Sequence, residues 1–352
     1  MADPVQSELL GPVLRDVSRT FYRTLSILPK ALRFPMGLAY LLARAADSIA
    51  DTEVLEQSER LERLLRFRNL LKSRDEHAVQ SFASSITEQQ KTFQSADLMA
   101  ERRLIRHLPE CFHLLRSFSR DDQERVVEVV TQLTIGMELD LRRFSRGGKL
   151  VALNTLDELE EYTWHVAGCV GPFWTKTCIA HLTAFRSWDS DRMCQMGIRF
   201  GKALQWTNVL RDIPRDLQNG RCYIPSDDLE NAGLTPSELQ NPSSYPRFKP
   251  LYHRYMDHAL EHYRAAWEYT QAIPESCFRV RLACIWPQWI GLETLALLRR
   301  SENPLDPVHR IRIPRSQVYT IICHSWALIW RGSALDRHQR NLMQMATTQV
   351  PA

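Results

Sequence analysis

Tyr40-Leu-Leu-Ala-Arg-Ala-Ala-Asp-Ser-Ile-Ala-Asp51 places polar side chains in an apolar background at helical spacing. Tyr40, Arg44, Asp47 and Asp51 stand at offsets of four, seven and eleven from the first, one continuous stripe of an α-helix. The lead-in, Met36–Leu42, is apolar. A second stretch has the same plan: Leu204-Gln-Trp-Thr-Asn-Val-Leu-Arg-Asp-Ile-Pro-Arg-Asp216 aligns Gln205, Asn208, Asp212 and Asp216, with Arg211 beside them. A polar stripe in an apolar helix is costly unless it meets water, partners or ions. In both stretches two aspartates lie four apart, so their carboxylates leave one helix face and repel. A divalent cation is the natural compensation, and Mg2+ is commonly held by one or two carboxylates with phosphate oxygens and water. One such pair alone is ordinarily a solvated face with Arg neighbours. Two copies in similar surroundings shift the balance towards a metal–diphosphate site.

The helical period extends over most of the chain. Glu56–Arg74 sets Leu61, Leu64, Leu65 and Leu71 between charges, and Asp121–Arg143 does the same with Val126, Val127, Val130, Leu133 and Met137. Phe34–Thr52, Leu156–Ala180, Asp191–Asp216, Leu251–Ala272, Phe278–Arg300 and Ser316–Arg331 are also predicted helices. No alternating Val/Ile/Thr run predicts a sheet. Only 13 glycines in 352 residues fit a helical chain with few tight turns. Pro214 is expected to kink or end its helix. Gly147–Gly148 marks a loop, and Gly220 to Pro246 is the longest irregular segment. The expected architecture is all-α, with one domain over residues 1–332 and a polar, fraying tail over 333–352.

Other function classes find little support. The net charge of +4 is too mild to imply a nucleic-acid partner. Eight cysteines without CxxC spacing argue against zinc ribbons and redox motifs, and for reduced core thiols in a cytoplasmic setting. The N-terminus lacks the basic and apolar regions of a secretory signal. The nearest approaches to a membrane span, Leu282–Leu298 and Val318–Trp330, read as core or cavity-lining helices. His253, His258 and His262 invite a metal-site reading, the last two at the spacing of zinc ligands, yet no HExxH motif or suitably placed carboxylate accompanies them, so they read as a solvated helix face.

Five blocks in order carry a family resemblance. They are Val17-Ser-Arg-Thr-Phe21, the Tyr40–Asp51 block, and Tyr162-Thr-Trp-His-Val-Ala-Gly168 with Gly171. The Leu204–Asp216 block follows, continuing into Gly220-Arg-Cys-Tyr-Ile-Pro225, and Cys284-Ile-Trp-Pro-Gln288 is the fifth. Together they resemble the squalene/phytoene synthase family of head-to-head prenyl synthases. The resemblance implies an isoprenoid-synthase fold, helices around a central apolar cavity, and Mg2+-dependent coupling of two allylic prenyl diphosphates, farnesyl diphosphate in the first instance. Carried over by position, Asp47, Asp51, Asp212 and Asp216 would hold Mg2+. Ser18, Arg19, Arg44, Gln205, Asn208, Arg211, Arg221 and Tyr223 would contact or border the diphosphates. Tyr162 would assist ionisation and proton removal, with Phe21 and Tyr40 lining the reaction centre.

The branch within the family is read from weaker signals. The Cys284–Gln288 block resembles squalene synthases, which reduce presqualene diphosphate with NADPH. Arg312 and Arg315, with Arg310 before them, would then bind the cofactor's phosphates. Arg221-Cys-Tyr-Ile-Pro225 is closer to the phytoene and dehydrosqualene branch, which needs no NADPH. A bacterial-type squalene synthase is the preferred reading, phytoene or dehydrosqualene synthase the alternative, and a non-enzymatic helical scaffold the rival from another class. A hydrocarbon product further implies transient contact with a membrane surface.

Overall fold

Apolar stripes at helical period become helices along most of the chain. The structure is a computed structural model that describes residues 4–18, 21–51, 55–89, 96–144, 149–308 and 310–348. Its main helices are α1 (Lys30–Ala50), α2 (Gln57–Leu70), α3 (Glu76–Gln89), α4 (Ala96–Arg106), α5 (Leu108–Ser117) and α6 (Arg120–Arg143). They continue as α7 (Leu156–Thr163), α8 (Val170–His181), α9 (Ser190–Gln218), α10 (Tyr245–Ala272), α11 (Phe278–Arg300), α12 (Arg315–Leu328) and α13 (Gly332–Thr347). The fold is all-α, as expected. Two-residue strands β1 (Val151–Ala152) and β2 (Arg221–Cys222) pair in parallel. The sequence predicted no sheet, because two residues are too few to show a period. Gly147–Gly148, predicted to be a loop, lies outside the described residues.

Three expectations are corrected by packing. The helix predicted over Leu156–Ala180 divides: a π-helical turn, Trp164–Gly168, separates α7 from α8, and the Cys169 N–H reaches the Trp164 carbonyl at 2.8 Å. Such a turn inserts one residue and shifts which side chains face inward. Pro214 does not end α9, which continues to Gln218. Proline has no N–H to offer the carbonyl four residues back. The buried Tyr252 hydroxyl of α10 supplies the missing donor, 3.2 Å from the Leu210 oxygen. The polar tail does not fray up to Thr347, because Leu335, Gln339, Leu342 and Ala346 make a buried stripe on α13. Trp289 donates its indole N–H to Gln339 at 2.9 Å, and Arg299 bonds the Ala346 carbonyl at 3.0 Å.

The chain forms two compact units: Met1–Arg142 with Lys176–Arg186, and Arg143–Thr175 with Ser187–Ala352. In the first, α1 buries Leu41, Leu42, Ala45 and Ala46, while Phe67 packs edge-on to Phe112 at 6.0 Å. Buried Arg60 donates to the Ala50 carbonyl at 2.9 Å and so satisfies one of the open carbonyls that end α1. In the second, the π turn and the start of α8 lie directly on α9. A Cβ on Gly171 would fall 2.1 Å from the Gly197 carbonyl carbon, so only glycine allows this approach. Thr207 and Tyr263 share a buried hydroxyl–hydroxyl bond of 2.9 Å across α9 and α10.

The predicted core helix at Leu282–Leu298 is confirmed in α11, where Leu282, Ile285, Trp289, Leu292 and Leu295 are inaccessible. The prediction fails for Val318–Trp330. There Ile321, Ser325 and Ile329 are buried, but Tyr319, Trp326 and Trp330 point outward. Hydropathy gives the same reading for an aromatic face turned either way. No helix among the described residues is long and apolar enough to cross a membrane. None of the eight cysteines is in a disulfide bond, and six are buried.

Candidate active site

In the first unit, the site residues gather at the C-terminal end of α1. Asp47 lies in its last turn, and the Asp51 N–H bonds the Asp47 carbonyl at 2.9 Å, so the pair follows the helical register. Two carboxylates at the negative end of a helix dipole are doubly unfavourable. Arg44 compensates in part: its guanidinium pairs with Asp47 and, at 2.6 Å, with Glu101 of α4. Enclosure, reinforced by Asp51 and opposed by Arg44, pushes the Asp47 carboxyl up to about 6. This is the response of an acid short of positive charge, and a hard dication among these oxygens would reverse it. Phe21 stacks on Tyr40 with centroids 5.3 Å apart. Ser18 is buried and its hydroxyl bonds the Leu14 carbonyl within its own helix. Arg19 lies outside the described residues.

In the second unit, α9 carries the other stripe. Arg211 grips Asp212 with two bonds, Nε at 2.9 Å and a terminal nitrogen at 2.5 Å. The Asn208 amide donates to Gln205 at 3.3 Å, and Gln205 donates to the Tyr162 hydroxyl at 3.4 Å. The Tyr162 ring stacks on Tyr223 at 4.6 Å, and Phe144 meets Tyr223 edge-on at 5.1 Å. Tyr162, Tyr223, Gln205 and Asn208 therefore form one connected group. Local structure delivers them. Gly220, at φ +75°, reverses the chain after α9. Pairing of Val151 with the Gly220 carbonyl and of Leu153 with the Cys222 carbonyl, each at 3.0 Å, then fixes the segment bearing Arg221 and Tyr223.

The basic segment before α12 divides. Arg310 and Arg312 line a small polar pocket with Arg211, Asp212, Arg215 and Gln218. Arg315 is not among its lining residues and is exposed at the first position of α12. The Cys284–Gln288 block is packing: Gln288 is inaccessible and bonds Thr270 at 2.5 Å, while Trp286 donates to Ser325 at 2.8 Å.

Sequence reasoning missed several partners. Glu101 and Arg60 had no local signal. Glu160, about a hundred residues away in sequence, supplies a suitably placed carboxylate beside His258 and His262, and the three offer ligand atoms within 4.8 Å of one another. Yet Glu160 already accepts from Lys202 at 2.5 Å, His258 at 2.8 Å and Trp206 at 3.0 Å, and Arg199 stands 3.4 Å from His262. Burial would raise the Glu160 carboxyl, but hydrogen bonds from His258 and Lys202 outweigh it and hold it at about 2. Burial and then His258 lower His262 to about 4. With two cationic side chains beside it, this cluster works as an ion-pair network joining α7 to α9 and α10, two residues from Tyr162.

Comparison with known proteins adds the family context. The family described as Squalene/phytoene synthase matches residues 14–317. A bifunctional lycopene cyclase/phytoene synthase of Arthroderma gypseum is 28% identical over 274 residues, 75% of this chain. The chain spans 42% of the length of that relative. A structure of TcSQS with a bound ligand superposes with a TM-score of 0.72 at 18% identity, covering 98% of each chain. A ligand-bound dehydrosqualene synthase gives 0.63 at 18% identity, covering 93% of this chain and 99% of that one. The fold is that of the isoprenoid synthases.

Proposed function

We propose the following reaction for this chain, which belongs to the squalene/phytoene synthase family: Mg2+-dependent head-to-head condensation of two farnesyl diphosphates to presqualene diphosphate, then NADPH-dependent reduction to squalene. The observation that carries the first half is the pair of Asp-x3-Asp stripes, each with an Arg paired to its first aspartate. Four carboxylates are hard oxygen donors that suit Mg2+ and suit softer metals poorly. The reading assigns both stripes to the same reaction.

When bound, Mg2+ neutralises diphosphate and favours its departure from the allylic carbon. The protein's own part is binding and steering. Asp47, Asp51, Asp212 and Asp216 would hold the metal, with Arg44 paired to Asp47 and Arg211 to Asp212. The carbon–oxygen bond of one substrate breaks with its electron pair leaving on diphosphate, and the alkene of the second substrate attacks the cation. The proton lost on ring closure leaves towards the Tyr162 oxygen, which Gln205 and the Tyr223 ring hold in place. The Phe21–Tyr40 stack presents aromatic faces that steady a cation by ~1–2 kcal/mol where water is excluded.

Arg310 and Arg312, in the pocket beside Asp212, are the side chains suited to NADPH phosphates, so Arg312 keeps its proposed role while Arg315 has less support. A second reading, phytoene synthesis from the C20 substrate without NADPH, is favoured by the phytoene-synthase name of the fungal relative. Product analysis decides. Farnesyl diphosphate with Mg2+ yields squalene only when NADPH is added if the first reading holds. Dehydrosqualene regardless of NADPH, or turnover of geranylgeranyl diphosphate alone, establishes the second. Asp47→Asn and Asp212→Asn each lower diphosphate release on the order of 10²–10³-fold. A chain that releases no diphosphate from either substrate is a scaffold.

A further inference from the structure

We propose that the outward face of α12, with the start of α11, is a docking surface for an anionic lipid bilayer. The face is built on helical register. Tyr319, Cys323, Trp326 and Trp330 fall at offsets of four, seven and eleven and are all exposed, Tyr319 by 51%, Trp326 by 43% and Trp330 by 64%. Phe278, the first residue of α11, joins them, its ring 4.9 Å from Trp330 and 5.9 Å from Trp326. An amphipathic helix in a soluble protein ordinarily turns such a face inward. Here the opposite face is already committed. Ile321 and Ser325 are buried, Ser325 accepts from Trp286 at 2.8 Å, and Gln317 donates to Glu293 of α11 at 2.8 Å. The aromatic side is therefore held outward by specific bonds.

Charge identifies the occupant. No Asp or Glu occurs between Asp306 and Asp336; of the arginines in that interval, Arg310 and Arg312 line the pocket beside Asp212, while Arg315 opens α12 four residues before Tyr319 and Arg331 directly follows Trp330. Arg279 stands over the Phe278 ring at 5.9 Å, its charge beside the aromatic cluster. Of the nearby acids, Glu293 is taken by Gln317 at 2.8 Å, Asp336 is engaged by Gln271 at 2.9 Å, and Glu275 precedes Phe278 by three residues. Tryptophan and tyrosine rings favour the water–lipid boundary, and arginines among them attract anionic headgroups. Binding by this face needs no catalysis. It rests on the synthase reading only for its purpose, passing a hydrocarbon product into lipid.

The test uses the full, untagged chain without substrate or Mg2+, floated with vesicles of phosphatidylcholine mixed with phosphatidylglycerol and with phosphatidylcholine alone. The chain floats with the mixed vesicles, and added salt weakens the binding. Trp326→Ser with Trp330→Ser lowers the partition coefficient roughly tenfold or more, and Arg279→Glu with Arg331→Glu lowers it as well. These variants keep the parent's circular dichroism and its diphosphate release in detergent. No flotation, or flotation equal in parent and both variants, overturns the proposal. A dimer in sedimentation that the Trp variant dissolves, without flotation, also overturns it and assigns the face to a second copy. A chain that floats yet turns over no prenyl diphosphate keeps the surface and loses the synthase reading; an active chain that does not float does the reverse.

Discussion

Glu160 shows how one half-buried side chain serves a site it does not enter. Its carboxylate takes donors from Lys202, Trp206 and His258, and it stands two residues before Tyr162. Held at about 2 against an ordinary 4.5, it binds its proton more weakly folded than unfolded. Stability from this group is thus complete above about pH 4.5 and is lost as the pH falls towards 2. The contribution at neutral pH is on the order of 2–4 kcal/mol. Glu160→Gln, followed by urea unfolding across pH, lowers stability near neutrality and flattens the decline between pH 4.5 and 3. A variant with the parent's pH profile contradicts this role for the network.

Pro214 and Tyr252 carry the corresponding lesson for elements. A proline within Asp212–Asp216 would break α9 and separate the second aspartate from the stripe, but the Tyr252 hydroxyl takes over its lost bond. Tyr252→Phe leaves the Leu210 carbonyl buried without that donor and costs about 1–3 kcal/mol. In a Pro214→Ala background the restored N–H satisfies the same oxygen, so the loss shrinks and the cycle shows a coupling of ~1 kcal/mol. Strictly additive losses contradict the substitution of one donor for the other. Gly171→Ala is the second element-scale prediction. Its Cβ meets the Gly197 backbone rather than a movable side chain, so it lowers stability by at least ~1–3 kcal/mol and weakens the Tyr162–Gln205 bond that depends on this packing. Thermal melting together with turnover checks it; an unchanged melting temperature contradicts the close approach.

At the scale of the whole molecule, what could be read in the sequence was what repeats locally. The Asp pairs, the Gln205–Asn208 stripe and the long helices declare themselves within a few turns. The compensating groups do not: Glu101 lies 57 residues from Arg44, and His258 lies 98 from Glu160, so no window contains both partners. The outward face of α12 carries no sequence signal of its own, because tryptophan counts as apolar on either side of a helix. Order and spacing of the five blocks identified the family without those long-range contacts. The central claim of the proposed function is that each Asp pair holds metal for a prenyl diphosphate. Crystals grown with Mn2+ and a non-ionising farnesyl thiodiphosphate test it most directly through manganese anomalous scattering. The account predicts manganese bound to oxygens of Asp47 or Asp51 and of Asp212 or Asp216, each ion also bound to a diphosphate oxygen. Manganese on one pair alone, or at Glu160 and His258 with both pairs bare, contradicts it.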